Sequence, residues 1–273
     1  YDGIKPKMFQ AGDFVYIVYQ DDLNGYSENY DMYNYQKIVY QTYNTKTGEF
    51  SKVYVLDDNG FADGSFEVYY DGEDAVIVYT QLNKKITTDN VDNMEGYVAS
   101  LEVKTAVLTA GEFMVSSSVL TNDQYYDMSV QVGKVNGVIT AIWVKNEANT
   151  LFGTTDNNDM SIWFSVYNGE NWSEAACLKS GINTITDIEI GSKGVVYITD
   201  VNNDLTSIGS DKTTEGYSDR QITVLDMTGS VLLHTSEEAA YHDVSYFADE
   251  IVYYIENNLY SIDTKEAYFD AAI

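Results

Sequence analysis

The sequence predicts an all-β protein, a β-propeller built from four-stranded antiparallel blades, most simply five of them. Its 273 residues include 25 tyrosines and one proline. Tyrosine favours strands because its ring packs on a pleated surface while its hydroxyl stays hydrated. A turn followed by an apolar run also recurs about five times, at intervals of roughly 60 residues, and such a period is typical of repeat folds.

The second strand of each repeat carries the strongest signal. It is nearly all apolar, as expected for a strand that is covered on both faces. The five copies read Phe14–Tyr19, Ala75–Tyr79, Val138–Trp143, Val195–Thr199 and Ile251–Ile255. Each copy follows a short turn, which contains glycine in the first four copies.

The flanking strands complete the unit. First strands are expected at Lys7–Phe9, Phe66–Tyr69, Met128–Val132, Ile185–Ile190 and Val244–Phe247. Third strands are expected at Lys37–Tyr40, Tyr97–Leu101, Ser161–Phe164, Ile222–Leu225 and Leu259–Ile262. Fourth strands are expected at Val53–Leu56, Val115–Leu120, Ala175–Leu178 and Val231–Leu233.

These strands predict a single propeller domain over 1–273, with blades of roughly 5–60, 61–123, 124–182, 183–239 and 240–273. The fifth copy is shorter than the others, so the chain is either a five-bladed propeller or a segment of a larger surface protein. A pair of β-sandwiches is the structural alternative, but it explains the long period less well.

A second turn follows the third strand of each repeat, and its best copy is Tyr167-Asn168-Gly169-Glu170-Asn171-Trp172. This pattern resembles the propeller repeats of bacterial extracellular and cell-surface proteins, in which a Tyr-Asn/Asp-Gly-x-x-Trp turn recurs. The resemblance implies the architecture and an extracellular or cell-surface location, but many functions share that architecture.

The net charge of the chain excludes some classes of binding partner. The chain has 43 acidic and 15 basic residues, a formal net charge of −28. Such a surface repels nucleic acid and anionic membranes, and it suits divalent cations. No apolar run is long enough for a membrane span, and this segment contains no signal peptide pattern. The single cysteine, Cys177, is expected to be a buried small hydrophobe.

Long acidic inserts between the second and third strands are the main functional signal, because propeller topology brings them to one face and long loops often carry function. In Asp200-Val201-Asn202-Asn203-Asp204, oxygen side chains alternate at a spacing that suits calcium. Asp211 falls where a twelve-residue calcium loop places its last ligand, but Leu205 replaces the usual glycine. This segment therefore has two interpretations: a calcium site formed by Asp200, Asn202, Asp204 and Asp211, or a solvated acidic turn without an ion.

The first insert differs because it is rich in tyrosine. Aromatic faces beside acids suit a glycan, since sugar C–H faces stack on rings while hydroxyls bind carboxylates. The alternative is that these rings pack the insert onto its own blade. The candidate ligand-binding residues are Tyr26, Tyr30, Tyr33 and Tyr35.

An enzymatic function is the less favoured alternative. A glycoside-active propeller would use carboxylates near its axis, and the candidates at the inner strand edges are Asp127, Asp187 and Asp243. The chain has a single arginine, Arg220, which excludes a sialidase-like arginine triad. The sequence therefore predicts an extracellular module that binds a glycan or protein ligand; the alternatives are a glycoside-active enzyme and a structural spacer without a ligand.

Overall fold

The computed structural model describes residues 5–23, 34–87, 94–109, 114–150, 159–200, 220–235, 241–247, 250–255 and 258–263. The chain divides into two compact units, Tyr1–Val132 and Gly133–Ile273, and the division falls inside strand β10 (Tyr126–Val135). Antiparallel strands that follow one another along the chain form five sheets in the described residues.

The first unit contains sheets 1 and 2. Sheet 1 consists of β1 (Lys7–Ala11), β2 (Phe14–Asp22), β3 (Gln36–Asn44), β4 (Glu49–Phe50) and β5 (Tyr54–Val55), the last two both pairing with β3. Sheet 2 consists of β6 (Phe61–Tyr70), β7 (Asp74–Leu82), β8 (Leu101–Thr109) and β9 (Met114–Val119), with helix α1 (Met94–Val98) between β7 and β8.

Sheets 3, 4 and 5 follow. Sheet 3 pairs β10 with β11 (Val138–Asn146), β12 (Met160–Tyr167) and β13 (Ala176–Ile182). Sheet 4 contains β14 (Ile185–Ile190), β15 (Gly194–Asp200), β16 (Arg220–Asp226) and β17 (Val231–His234). Sheet 5 contains β18 (Tyr241–Phe247), β19 (Glu250–Ile255) and β20 (Asn258–Asp263). The predicted fold class, a β-propeller of four-stranded antiparallel blades, is confirmed; that five such blades complete the fold stays a prediction.

Three tyrosines of the first unit, Tyr16, Tyr40 and Tyr54, take part in a series of ring contacts with Phe9. A ladder runs across sheet 1, with ring centroids 4.8 Å apart for Phe9 and Tyr16, 6.4 Å for Tyr16 and Tyr40, and 5.1 Å for Tyr40 and Tyr54. Cross-strand aromatic pairs of this kind stabilise a sheet beyond the area that they bury. Tyr16 and Tyr40 belong to a core that also includes Ile77, Tyr79 and Leu108 of sheet 2, so the two sheets share their hydrophobic packing.

The second unit has a comparable core between sheets 4 and 5, formed by Val196, Ile198 and Ile222 with Tyr246 and Ile251. Tyr241 lies edge-on to Tyr253, with ring centroids 5.3 Å apart. In sheets 2, 3 and 4 the second strand is the most deeply buried, as its apolar composition predicts, whereas in sheet 1 the third strand, β3, is more buried than β2.

Glycine turns lie where the repeat predicts them. Gly72 connects β6 to β7 with φ at 111°, and Gly169 follows β12 with φ at 98°, a region that residues with a Cβ rarely enter. In the Gly169 turn, Asn168 Oδ1 accepts hydrogen bonds from the backbone N–H groups of Glu170 (2.9 Å) and Asn171 (2.8 Å). The flanking Tyr167 and Trp172 rings are 5.2 Å apart.

Two predictions are wrong. Residues Tyr97–Leu101 were expected to form a strand, but Tyr97 and Val98 belong to α1, and β8 begins only at Leu101. Both side chains are buried, so one turn of helix places them against the sheet as a strand would. Cys177 is exposed rather than buried, because it lies on β13, the last strand of its sheet.

Candidate metal centre

Two segments of the same length link consecutive sheets, and the candidate site lies at the second of them. Residues 56–63 run from sheet 1 into sheet 2, and residues 120–127 run from sheet 2 into β10; each begins with leucine and ends with aspartate. The Leu56 N–H donates to the Ile38 carbonyl at 3.0 Å, and the Leu120 N–H donates to the Val103 carbonyl at 2.9 Å. The two segments therefore dock at equivalent positions on β3 and β8.

Three carboxylates meet at the second of these segments. Glu102 on β8, Asp123 in the segment and Asp127 on β10 each place a carboxylate oxygen within 4.8 Å of the others. Glu102 and Asp127 are buried and Asp123 is half-buried. We call these three residues the carboxylate cluster. It is a set of hard oxygen ligands that could hold a metal ion.

Neighbouring donors fix the Glu102 side chain. Its Oε2 accepts hydrogen bonds from the Thr121 hydroxyl at 2.8 Å and from the Asp123 backbone N–H at 3.3 Å. Its Oε1 accepts from the Asn83 side-chain amide at 3.1 Å. Asp123 Oδ1 in turn accepts from the Tyr125 N–H at 2.9 Å. Donors outside the cluster thus orient its ligands, as supporting residues do around metal sites.

Repulsion within the carboxylate cluster is large. Two unit negative charges 4.8 Å apart repel by about 3 kcal/mol at an effective dielectric constant of about 20. A divalent cation bound among the three oxygens would replace that repulsion with attraction. Calcium takes 6–8 oxygen ligands, so water or backbone carbonyls would complete its shell.

The equivalent position at the first segment contains a lysine instead. Lys37 is the second residue of β3, as Glu102 is of β8. Its Nζ lies 3.7 Å from Asp63 Oδ1, and it donates to the carbonyls of Asn59 and Gly60, both at 3.1 Å. Lys37 is therefore a built-in cation, surrounded by the oxygens that a metal ion would otherwise contact.

Asp63 is the carboxylate of this first junction. Its Oδ2 accepts from the Ile38 N–H at 2.8 Å, and its Oδ1 accepts from the Gln81 side-chain amide at 2.6 Å. Burial raises the pKa of Asp63 to about 6; the Lys37 charge and the two hydrogen bonds oppose that shift, and the nearby Asp57 charge adds to it.

A second ion pair adjoins the first. Lys104 Nζ lies 3.7 Å from Asp57 Oδ2, and it donates a hydrogen bond to Gln81 Oε1. The Tyr79 hydroxyl donates to Asp57 Oδ2 at 3.2 Å. Burial, followed by the Asp57 charge, raises the pKa of Tyr79. We call Lys37, Asp57, Asp63, Gln81 and Lys104 the buried network; its two lysines balance its two aspartates.

The structure separates the three predicted catalytic carboxylates by environment. Asp127 belongs to the carboxylate cluster. Asp187 Oδ1 accepts from the Ile188 N–H (2.9 Å) and its Oδ2 from the Val244 N–H (2.7 Å), so this side chain joins β14 to β18. Burial raises the pKa of Asp187, and the charge of the exposed Asp243 adds to the effect. Asp243 itself has a φ of 48°, at an irregularity of β18.

The other predicted site residues are placed only in part. Asp200 ends β15, and its Oδ1 accepts from the Arg220 Nε at 2.8 Å. Tyr35 precedes β3 and is exposed. The remaining predicted ligands lie outside the described residues: Asn202, Asp204, Asp211, Tyr26, Tyr30 and Tyr33. Calcium in the Asp200 loop and a ligand at the tyrosines remain predictions.

Sequence reasoning missed Glu102 and Asp123. Glu102 lies in an apolar strand, and Asp123 lies in a short link rather than a long insert. A signal was nevertheless present. Residues 56–63 and 120–127 align without a gap, and aligning the third strands places Glu102 opposite Lys37. A lysine replaced by a glutamate beside a retained aspartate indicates a change in how buried charge is balanced.

Comparison with known proteins gives the fold and no family. No family model and no curated protein matches the chain. An oligogalacturonate lyase in complex with manganese is similar in structure, with a TM-score of 0.52 and 13% identity over 95% of this chain and 62% of its own. The acylaminoacyl peptidase of Pyrococcus horikoshii has a TM-score of 0.52 and 12% identity over 95% of this chain and 37% of its own.

Other similar structures include bacterial glycoside hydrolases. A glycosyl hydrolase from Bacteroides ovatus covers 97% of this chain and 84% of its own, with 11% identity and a TM-score of 0.45. The lyase and the peptidase catalyse different reactions, so the likeness is one of architecture. This chain spans 62% of the lyase and 37% of the peptidase. Within the described residues, no helix has the length and hydropathy that crossing a membrane requires.

Proposed function

We propose that this chain is an extracellular binding module, and that a divalent cation held by Glu102, Asp123 and Asp127 organises the loops that present its ligand site. Calcium is the first candidate. The observation that carries the proposal is the carboxylate cluster itself, buried in a chain whose net charge is −28. An ion there would offset the repulsion between the carboxylates and cross-link β8, the linking segment and β10.

The position of the carboxylate cluster connects it to the predicted ligand-presenting inserts. Glu102 follows directly after the insert between β7 and β8. The base of that insert is closed by a hydrogen bond from the Asn83 N–H to the Ser100 carbonyl at 2.9 Å. The Asn83 side chain binds Glu102, so a cation at Glu102 would be one residue away from the base of the insert.

The inserts of sheets 1 and 2 also contact each other. Asn34, at the end of the first insert, donates to the Ile86 carbonyl at 2.9 Å and accepts from the Ile86 N–H at 2.7 Å. Tyr35 is exposed beside this junction. A surface built from two joined inserts with an exposed ring suits a glycan or protein ligand better than it suits a spacer.

Asp187 does not support the glycoside-active alternative. Asp187 has the raised pKa expected of a general acid, but both of its oxygens accept backbone hydrogen bonds. Such a side chain holds two strands together and has little freedom to transfer a proton. We therefore assign Asp187 a structural role.

The cation is tested by thermal unfolding in EDTA, in CaCl₂ and in MnCl₂, at constant ionic strength. Calcium at one hundred times its Kd should stabilise the native state by about 2.7 kcal/mol, a rise in Tm of several degrees. Glu102→Gln should remove the response, because it removes one charged ligand. Asp204→Asn is the matched variant in the other candidate loop, and it should leave the response unchanged.

The results separate the two candidate cation sites and test the ligand independently. A calcium response that survives Glu102→Gln but is lost in Asp204→Asn would move the ion to the Asp200 loop. Identical wild-type melts in EDTA and both metals would overturn the cation. The ligand is tested separately, by glycan-array binding of wild type and Tyr35→Ala. If no glycan and no protein ligand is retained, the chain is a spacer.

A further inference from the structure

We propose that Asp63 is a proton-operated switch at the junction of sheets 1 and 2, which passes the gain of one proton through Gln81 to Lys104. The buried network that surrounds Asp63 is distinct from the carboxylate cluster, and the inference does not depend on the proposed function. It stands on the direction of each hydrogen bond around one buried side chain.

In the described part of the chain, the three groups that hydrogen-bond or ion-pair with the Asp63 carboxylate are all donors. Ile38 presents its backbone N–H to Oδ2, and Gln81 presents its amide N–H to Oδ1. Lys37 adds its ammonium at 3.7 Å from Oδ1. A carboxylate, which only accepts, fits this set. A protonated Asp63 would point its own O–H at one of these N–H donors, whichever oxygen carried the proton.

Burial of the Asp63 side chain, in contrast, disfavours its negative charge. The Asp63 side chain is fully buried, and burial disfavours the ionised form. The titratable groups that act on it are Lys37 from β3 and Asp57 from the linking segment. Tyr79 on β7 is influenced by both aspartates, and Lys104 on β8 pairs with Asp57. The balance of these effects places the pKa of Asp63 at about 6, so the proton is exchanged under mildly acidic conditions.

Gln81 provides the path by which protonation is transmitted. Its amide nitrogen donates to Asp63, and its amide oxygen accepts from Lys104. When Asp63 gains a proton, the Gln81 amide must reverse so that its oxygen faces the new O–H. Lys104 then loses its acceptor on Gln81 and keeps Asp57, whose Oδ2 lies 3.7 Å away. One proton on β6 thus changes the partner of a lysine on β8.

The change alters the contact between the two sheets. Asp63 also receives a hydrogen bond on its backbone carbonyl from the Gln20 side chain of β2, so residues of sheet 1 bind it on both sides. Protonation on Oδ1 removes the charge that attracts Lys37, and it weakens the hydrogen bond from the Ile38 N–H because Oδ2 then accepts without a negative charge. We expect the hydrogen-bond partners at this junction to differ below and above the midpoint.

The test is an NMR titration of the full chain in EDTA between pH 4.5 and 8. The Asp63 carboxyl carbon, the Gln81 side-chain amide and the Ile38 amide should shift with one shared midpoint near 6. The Lys104 ammonium signal should follow them. Asp187 is the internal control, because each of its oxygens accepts from a backbone N–H rather than from a side-chain amide; its titration should move the amides of Ile188 and Val244 and leave the Gln81 amide unchanged.

Gln81→Met separates a relay from simple proximity. This side chain has nearly the same length but no amide, so Asp63 should still titrate while the Lys104 signal stops following it. An Asp63 midpoint near its ordinary value of 3.8 would overturn the proposal. So would a wild-type Gln81 amide that does not respond. If Gln81→Met does not fold, the wild-type titration decides alone.

Discussion

The two junctions in the first unit solve the same problem with opposite charges. At both, a linking segment docks on a third strand and brings an aspartate, Asp63 or Asp127, to a buried position. At the first junction, the facing position is Lys37, and Lys104 adds a second positive charge. At the second, the facing position is Glu102, with Asp123 beside it. Equivalent backbone positions therefore contain a neutral network in one place and a cluster of carboxylates that could hold a metal ion in the other.

A buried carboxylate can be neutralised by a side chain of the same protein or by a cation taken from solvent. A lysine ammonium is always present in the folded protein, and the free-energy cost of burying it is already included in the stability of the fold. A cation from solvent depends on its concentration, so the stability that it provides can be regulated. In the two proposals made above, the first junction responds to protons and the second to metal ions.

The largest effect is expected from removing the built-in cation with Lys37→Met. It leaves Asp63 buried without its ion pair, which should cost about 3–5 kcal/mol at neutral pH and lower Tm by roughly 10 °C. Lys46→Met is the control, because the Lys46–Asp13 pair is short at 2.6 Å but mostly exposed, and such pairs contribute about 0–1 kcal/mol. Equal losses in the two variants would show that the buried pair is not special.

The second-largest effect is expected in the pH dependence of the unfolding free energy, to which Asp63 of the first junction contributes. The pKa of Asp63 is raised from 3.8 to about 6 on folding, so between these values the folded state binds more protons than the unfolded one. The contribution of Asp63 is therefore fully present below pH 4 and is lost as pH rises through 6, by on the order of 2–3 kcal/mol. Chemical denaturation at each pH measures it.

Asp63→Asn removes the titrating group and should flatten this part of the profile. The curves of wild type and variant should differ in slope between pH 4 and 6, and should run parallel above pH 7. Parallel curves over the whole range would mean that the pKa of Asp63 is unchanged on folding.

The smallest effect is expected from converting the second junction into the first with Glu102→Lys. The new ammonium would face Asp123 and Asp127, so stability in EDTA should rise by about 1–2 kcal/mol while the calcium response disappears. Glu95→Lys on α1 is a control that changes charge by the same amount outside the carboxylate cluster. A Glu102→Lys protein that still responds to calcium would refute the equivalence of the two junctions.

Local pattern accounts for most of the fold. The apolar second strands and the glycine turns could be placed because burial on both faces and positive φ each impose a strong residue preference. The pattern failed at Tyr97 and Val98, where an apolar pair satisfied a helix as well as a strand. It failed also at Cys177, since an outer strand can expose a residue type that is usually buried.

The site was predicted only through Asp127. That residue was chosen for its place on a first strand, and its partners come from the preceding sheet (Glu102) and from the linking segment (Asp123). Glu102 and Asp123 are separated in sequence by the whole of β9, so no local spacing rule could group them. The calcium pattern at Asp200, by contrast, is local, and the structure adds that Arg220 already binds that carboxylate.

The sequence by itself determined the repeat, the strand order and the acidic character of this protein, because these depend on residue type and periodicity along the chain. Only the tertiary structure decided which carboxylates face a lysine and which face one another. That choice depends on which linking segment docks on which third strand. In a buried setting, a difference of one facing residue replaces an ion pair with a cluster of like charges that a cation could balance.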